Sequence, residues 1–464
     1  MYMKKTVITI FASLTIFNAA AQTADAPARN DYRGRFSRPL ATVLEEVAAH
    51  FGVEFEYAKF TPDTMTLRFA DSRIRPYSLE QTLDNICRAA DLKWSHSGTR
   101  YKVQPYEYYR RAPEDGVQLL AWLSSLCNDR GEWEARREVL RDDVRQMMAM
   151  DAWRAATAAE PNVIISKERR MDGYTVTNFA LETLPGVYAC GTIYSPTSRG
   201  RHALVVAPSG HWEGGRLRPD HQRLMATLAR MGAVAVDMDI VGWADSEVQI
   251  GRAAHATGYS MQLQTLWSLC VTDWVLRTRK DIDPDRIAVT GGSGGATHAL
   301  LLAMLDERVS AVASVAHLVA HFDGGCACES GVPVALSGGG SCMTELLATL
   351  APRPVLTVSD GGDWTATYPE SEYPFLRRIW GFYDSDATLH HRHFPAEGHD
   401  YGVNKRRAVY EFFASVLGLN LSRADESHVV LLPDVELRSF ADGVLPEGAV
   451  RSQAELEKLL IDIR

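Results

Sequence analysis

The segment Ile287-Ala288-Val289-Thr290-Gly291-Gly292-Ser293-Gly294-Gly295-Ala296-Thr297-His298-Ala299-Leu300 decides the fold. A β-branched run ends at Thr290, glycines surround one serine, and Ala296, Leu300, Leu301, Leu302, Met304 and Leu305 then repeat as in a helix. Gly-x-Ser-x-Gly between a strand and a helix is the sharp turn that lifts a serine hydroxyl above a sheet. The turn leaves no room for a Cβ at positions 291 and 295, and it holds the serine in a strained backbone conformation. The hydroxyl then stands at the positive end of the following helix. Ser293 is the candidate nucleophile.

Working outward, strand-like runs occur at residues 174–181, 186–194, 203–207, 233–238, 312–315, 354–358 and 391–394. Helical patterns at 221–231, 261–277, 296–305, 373–383 and 405–417 alternate with the later strands. That alternation predicts an α/β fold, a mostly parallel sheet covered by helices on both faces. A serine hydroxyl needs a base to take its proton and a third group to orient that base. His399 follows the strand at 391–394 across Pro395-Ala396-Glu397-Gly398 and precedes the last helix of the domain, and it is the candidate base. Asp360 and Asp363, in Ser359-Asp360-Gly361-Gly362-Asp363-Trp364, are the candidate acids. An oxyanion needs two backbone N–H donors. Gly294 is one candidate; His211 or Trp212, in the glycine-rich turn 208–215 after an early strand, is the other.

These motifs, in this order over residues 170–418, resemble the α/β-hydrolase superfamily. The family's acid commonly sits in a Gly-containing turn a few residues past the strand, which favours Asp363 over Asp360. Asp239-Ile240-Val241-Gly242-Trp243-Ala244-Asp245-Ser246 is similar to a turn these hydrolases carry, with Ala244 in place of a glycine. More narrowly, Ser209-Gly210-His211-Trp212, Gly324-Gly325-Cys326-Ala327-Cys328-Glu329, Pro352-Arg353-Pro354, Ser359-Asp360-Gly361-Gly362-Asp363-Trp364-Thr365 and Glu397-Gly398-His399-Asp400-Tyr401-Gly402 resemble exported bacterial carbohydrate esterases. These are acetylxylan esterase-like proteins with pectin methylesterases among their relatives. The resemblance implies a serine carboxylic ester hydrolase removing acetyl or methyl esters from a polysaccharide or oligosaccharide, without a cofactor. Its rivals are an exported serine peptidase of the same fold and a non-catalytic envelope binding protein. Trp243 and Trp364 fall on expected rim loops, where aromatic faces suit sugar rings. Arg216, with Arg218, follows the oxyanion turn and could pair with uronate carboxylates.

The 464-residue chain has length for more than one domain. Lys4 and Lys5, an apolar run from Thr6 to Phe17 and Ala19-Ala20-Ala21 read as a signal peptide over residues 1–21. The apolar run is shorter than the ~20 residues that span a bilayer. An exported protein, periplasmic or secreted, with no transmembrane segment in the mature chain is expected. A formal charge of −9 argues against a nucleic-acid partner. Seven cysteines in an oxidising compartment permit disulfides but leave one thiol over. Cys326-Ala327-Cys328, with Cys342 further on, is the one cluster; no fourth ligand at sensible spacing accompanies it, so a disulfide involving Cys326 or Cys328 is expected and no metal. The segment 324–340 reads as a lid over the serine.

Residues 22–35 read as a polar leader, and 36–105 as a small α+β domain in the order helix, strand, strand, helix, hairpin. Phe36-Ser37-Arg38-Pro39-Leu40, the helix start Ser78-Leu79-Glu80-Gln81-Thr82-Leu83 and the Trp94 to Tyr101 hairpin resemble the STN domain (secretin and TonB N-terminus) of Gram-negative envelope proteins. That resemblance implies docking on an envelope protein partner; a packing extension of the enzyme is the alternative. Residues 106–169 read as a helical linker, 170–418 as the catalytic domain and 419–464 as an extension with a strand at 428–432 and a helix at 453–463.

Overall fold

The computed structural model describes residues 37–58, 60–90, 92–105, 112–322, 326–330, 334–461 and 463. The expected signal peptide and leader lie outside these residues. No helix among the described residues is long and apolar enough to cross a membrane. The chain divides into two compact units at Glu107/Tyr108.

The first unit contains β1 (Ser37–Pro39), α1 (Leu40–Phe51), β2 (Glu54–Tyr57), β3 (Thr66–Arg68), α2 (Leu79–Ala89), β4 (Leu92–Ser97) and β5 (Arg100–Pro105). Helix α1 buries Leu40, Val43, Leu44 and Val47, the face its periodicity predicts. Ser78 caps α2, its Oγ accepting from the Gln81 amide at 3.3 Å. β4 and β5 form the expected hairpin, and β2 joins β5 in parallel. β1, too short to show a period, pairs separately with β3.

The second unit is built on one ten-stranded sheet. It opens with α3 (Pro113–Ser125), α4 (Arg130–Met148) and α5 (Met150–Ala155), followed by β6 (Val163–Ile165), β7 (Arg169–Arg170), β8 (Tyr174–Leu184), β9 (Val187–Pro196) and β10 (His202–Pro208). Then come α6 (Pro219–Met231), β11 (Ala233–Met238), α7 (Ala244–Ile250), α8 (Ser260–Thr278), β12 (Ile282–Gly292), α9 (Gly294–Leu305) and β13 (Val309–Val315). It continues with α10 (Ala327–Ser330), α11 (Met343–Ala348), β14 (Val355–Asp360), α12 (Glu372–Gly381), β15 (Leu389–Phe394) and α13 (Val403–Leu417), and ends with α14 (Asp434–Leu437) and α15 (Gln453–Ile461). Strand order is β15-β14-β13-β12-β10-β11-β9-β8-β6, with β7 also on β8. From β15 to β11 all pairs are parallel; β9, β8, β7 and β6 extend the sheet antiparallel.

The two faces follow the period of two along each strand. Leu204 and Val206 of β10 and Ile287 and Val289 of β12 join one core layer, while Ala203, Val205, Ala207 and Ala288 join the other. Helix α9, whose polar side chains are Thr297 and His298 alone, is buried on every side from Gly294 to Met304, so its outer side needs a cover of its own. The larger core layer that holds α9 also takes Leu120, Leu123, Trp133, Leu140, Val144, Met148 and Trp153 from α3, α4 and α5. Arg136 donates to Glu345 at 2.5 and 2.9 Å, and Arg141 to Glu307 at 2.7 Å. The helices expected as a linker are therefore a layer of this unit; their charge-rich outer face hides a continuous apolar stripe.

The expected strand at 428–432 does not form. Gln222 bonds both the Leu432 amide (2.8 Å) and its carbonyl (3.1 Å), supplying with one side chain what a neighbouring strand would. The helix at 453–461 forms and buries Leu456 and Leu460.

β10 lies between β11 and β12: the chain runs from β10 to β11 on one side and then crosses back over β10 to β12 on the other. Such a switch point opens a crevice at the carboxyl ends of the strands. The turns after β10 and β12 meet there: a Cβ on Gly210 would come within 2.5 Å of the Gly292 carbonyl oxygen.

Candidate active site

Ser293 sits between β12 and α9 with φ 54° and ψ −132°, a conformation that costs a non-glycine residue on the order of 1–3 kcal/mol. Its neighbours explain how it is held. A Cβ at Gly291 would overlap the Gly295 carbonyl, and one at Gly295 would overlap the Pro208 carbonyl. The Ser293 amide donates to the Val315 carbonyl at 3.0 Å, fixing the elbow to β13.

Two chain segments from beyond β14 converge on this serine. His399 Nε2 lies 2.9 Å from Ser293 Oγ, and His399 Nδ1 lies 2.9 Å from Asp363 Oδ2. Thr365 donates to Asp363 Oδ1 from its amide (2.6 Å) and its hydroxyl (2.5 Å). Burial raises the Asp363 pKa, but the bonds from His399 and Thr365 outweigh it and hold the carboxyl below its ordinary range. Asp360 has another partner. Lys405 Nζ, fully buried, lies 2.9 Å from Asp360 Oδ1 and donates to the Gly398 carbonyl (2.6 Å) and Asp400 Oδ1 (2.5 Å). It ties the loop that carries His399 to the end of β14. Tyr401, its hydroxyl 2.7 Å from Thr290 Oγ1, ties the same loop to β12. Burial pushes Asp360 up to about 7 despite Lys405.

A histidine between a serine hydroxyl and a carboxylate can accept the serine's proton and return it to a leaving group. The α/β-hydrolase architecture matches that of a solved esterase. No protein-family model and no curated protein matches the chain. A solved structure of methylesterase BT1017 is 47% identical, aligned over 94% of this chain and 98% of its own, with a TM-score of 0.76. The chain belongs to the methylesterase BT1017 family. Weaker likenesses are a candidate acetyl xylan esterase from Bacteroides fragilis (15% identity, 62% of this chain and 88% of that one, TM-score 0.47) and a glucuronoyl esterase from Solibacter usitatus (12%, 62% and 94%, 0.44).

The other residues singled out in this methylesterase-family chain fall into three groups. Gly294, His211 and Trp212 adjoin the serine, and their amides bond no other backbone or side-chain group among the described residues. Trp212 and Trp364 flank the His399 imidazole, their rings 5.6 and 4.2 Å from it; Trp364 also stacks on Phe322 at 4.7 Å. Trp243 packs instead on His255 at 4.4 Å and His211 at 5.6 Å, with the Arg252 guanidinium 3.7 Å over its ring.

Arg216 does not face the crevice. It is buried, and every guanidinium N–H is used within the fold. Nε donates to Asp239 (2.5 Å), one terminal nitrogen to Thr192 and the Leu437 carbonyl (2.8 Å each), the other to Asp245 (2.5 Å) and Ser439 (3.4 Å). The expected uronate contact at Arg216 is corrected on this ground. Arg218 is held by Asp220 at 2.8 Å through two nitrogens.

The disulfide expected at Cys326 or Cys328 is also corrected. Their sulfurs are 3.1 Å apart, beyond a bond of about 2.05 Å. Both face His211, whose Nε2 is 2.9 Å from Cys328 Sγ and 3.2 Å from Cys326 Sγ. His255 Nε2 is 3.2 Å from Cys326 Sγ. Although burial opposes it, Glu329 and Cys326 raise the His211 pKa to about 9. Of the expected lid, residues 326–330 and 334–340 are described. Glu329 from it reaches the site, 3.3 Å from His317 Nε2.

Sequence reading missed Lys405, Tyr401 and His255. A lysine in a helix and a histidine in a loop have no local signature. The charged Asp360, Glu397 and Asp400 around Lys405 were the available sign.

Proposed function

We propose that this protein is a serine esterase that removes methyl esters from uronate carboxylates of plant polysaccharides. The observation that carries the reading is the relay from Ser293 Oγ through both nitrogens of His399 to Asp363, 2.9 Å at each step, on a strained elbow. The methyl ester is supported by the name of the relative at 47% identity. Ser293 attacks the ester carbonyl as His399 takes its proton, with Asp363 stabilising the imidazolium. The amides of Gly294 and of His211 or Trp212 receive the oxyanion. His399 returns the proton to the departing methoxide, methanol leaves, and the uronyl group stays on the serine until water repeats the sequence. The N-terminal unit supplies none of these side chains; its assignment to docking on an envelope protein rests on sequence resemblance alone.

The test is product analysis. Incubation with methyl-esterified pectin is expected to release methanol, and acetylated xylan to release little acetate. Acetate as the main product would replace methyl by acetyl specificity, and cleavage of peptides alone would remove the esterase reading.

The two aspartates give a second prediction. Asp363→Asn keeps the shape but cannot stabilise the imidazolium, so kcat is expected to fall on the order of 10⁴-fold. Asp360→Asn removes the partner of a buried lysine, so its main effect is expected in Tm. Kinetics and thermal melts of both variants check this; the larger kcat loss in Asp360→Asn would move the acid role there.

A further inference from the structure

The cluster beside the serine has the composition of a metal centre. His211 Nε2, His255 Nε2, Cys326 Sγ and Cys328 Sγ lie within 4.8 Å of one another. Four of the separations run from 2.9 to 3.2 Å. Two imidazoles and two thiolates are the donor set of closed tetrahedral zinc sites. With zinc–sulfur bonds of ~2.3 Å and zinc–nitrogen bonds of ~2.0–2.1 Å, ligand atoms stand roughly 3.3–3.8 Å apart, so the close pairs open by up to roughly 0.7 Å and any pair near the 4.8 Å limit draws in to admit the ion.

The second ring nitrogens decide between a metal and a thiol–imidazole hydrogen-bond cluster. A ligating histidine normally donates its other N–H to a carbonyl or carboxylate, which leaves the inner nitrogen bare. His255 Nδ1 lies 2.8 Å from the Val241 carbonyl oxygen, so it carries the proton and Nε2 presents a lone pair to the sulfurs. His211 Nδ1 faces the Glu329 carboxylate at 3.9 Å. The His255 imidazole is therefore set for coordination, and His211 has a carboxylate beside its outer nitrogen. A disulfide would use neither of them.

We propose that His211, His255, Cys326 and Cys328 bind one structural Zn²⁺. Soft sulfur with imidazole nitrogen in a four-point set selects zinc over magnesium or calcium. Four protein ligands close the coordination shell, so the ion takes no substrate and leaves the ester chemistry to Ser293. Its task is positional. The ligands come from three separate chain segments, and His211 belongs to the turn after β10. Its imidazole occupies the space a Cβ on Gly294 would need. Zinc at this place fixes residues 210–212 against the start of α9. On the serine-esterase reading, it thereby fixes the oxyanion amides.

The test separates metal from activity. The full chain, purified without a polyhistidine tag and without chelator, is expected to contain one zinc per molecule by elemental mass spectrometry. Replacing it with Co²⁺ should give tetrahedral ligand-field bands and a thiolate-to-cobalt charge-transfer band in the near ultraviolet. His255→Ala and Cys328→Ser should lose both the zinc and the band. Because those variants could fail to fold, the wild-type cobalt spectrum stands as an independent readout. A chain with no zinc above background that takes up none when supplied, a cobalt spectrum without sulfur ligation, or zinc retained in folded variants would each overturn the proposal, as would a Cys326–Cys328 disulfide in the native protein. Ester hydrolysis can fail while zinc remains, so the two readings fall separately.

Discussion

Ser293→Ala is expected to lower kcat/KM for ester hydrolysis by roughly 10⁴–10⁶-fold, the range seen when a nucleophile is removed and only oxyanion contacts and binding remain. The hydroxyl meets His399 Nε2 at 2.9 Å, and the residue is held by its backbone amide on Val315 and by the glycines around it. Alanine keeps that backbone and loses one atom, so Tm should change little. His399→Ala should cost about as much, and the double variant little more than either alone, because the groups act as one device. Kinetics on 4-nitrophenyl acetate, with fluorophosphonate labelling of the wild type only, measure all of this. A Ser293→Ala enzyme that keeps most of its activity, or still labels, would place the nucleophile elsewhere.

What could be read from the sequence divides according to how local its cause is. The elbow is legible because a tight turn constrains five adjacent residues, and backbone overlaps at Gly291 and Gly295 are the reason they are glycines. The parallel sheet is legible because strand and helix periods alternate along the chain. His399 is legible as the candidate base from its order after the last strand of the sheet. The acid is not settled by residue type, since Asp360 and Asp363 share one turn. What separates them is three-dimensional: Lys405, more than forty positions on, lies against Asp360, while His399 reaches Asp363. Helices α3 to α5 were misread for a related reason. Their sequence is charged enough for a spacer, and only the burial of α9 on every side reveals that a layer is needed above it. The sulfur and imidazole cluster is the extreme case. His211 and His255 stand 115 and 71 residues before Cys326, so no spacing rule joins them.

Arg216→Met is expected to destabilise the protein by about 3–5 kcal/mol, the cost of leaving a buried charge without its partner. Two carboxylates are involved. Asp239 accepts from Arg216 and, on its other oxygen, from the amides of Asp245 (2.9 Å) and Ser246 (3.2 Å) at the start of α7. Asp245 accepts from Arg216 and from the Ser439 amide at 2.8 Å. The guanidinium thus joins three segments: the stretch following the turn after β10, the turn after β11, and the chain around α14 through the Leu437 carbonyl. Lysine offers one charge but not five donors in a plane, so Arg216→Lys should recover only part of the loss. Thermal melts should show a fall in Tm on the order of 10 °C for Arg216→Met. Where the variant stays folded, KM for a polyuronate substrate should rise no more than KM for 4-nitrophenyl acetate. A substrate-binding arginine would do the reverse, leaving Tm in place and raising KM for the acidic polymer alone, and that result would return Arg216 to the crevice.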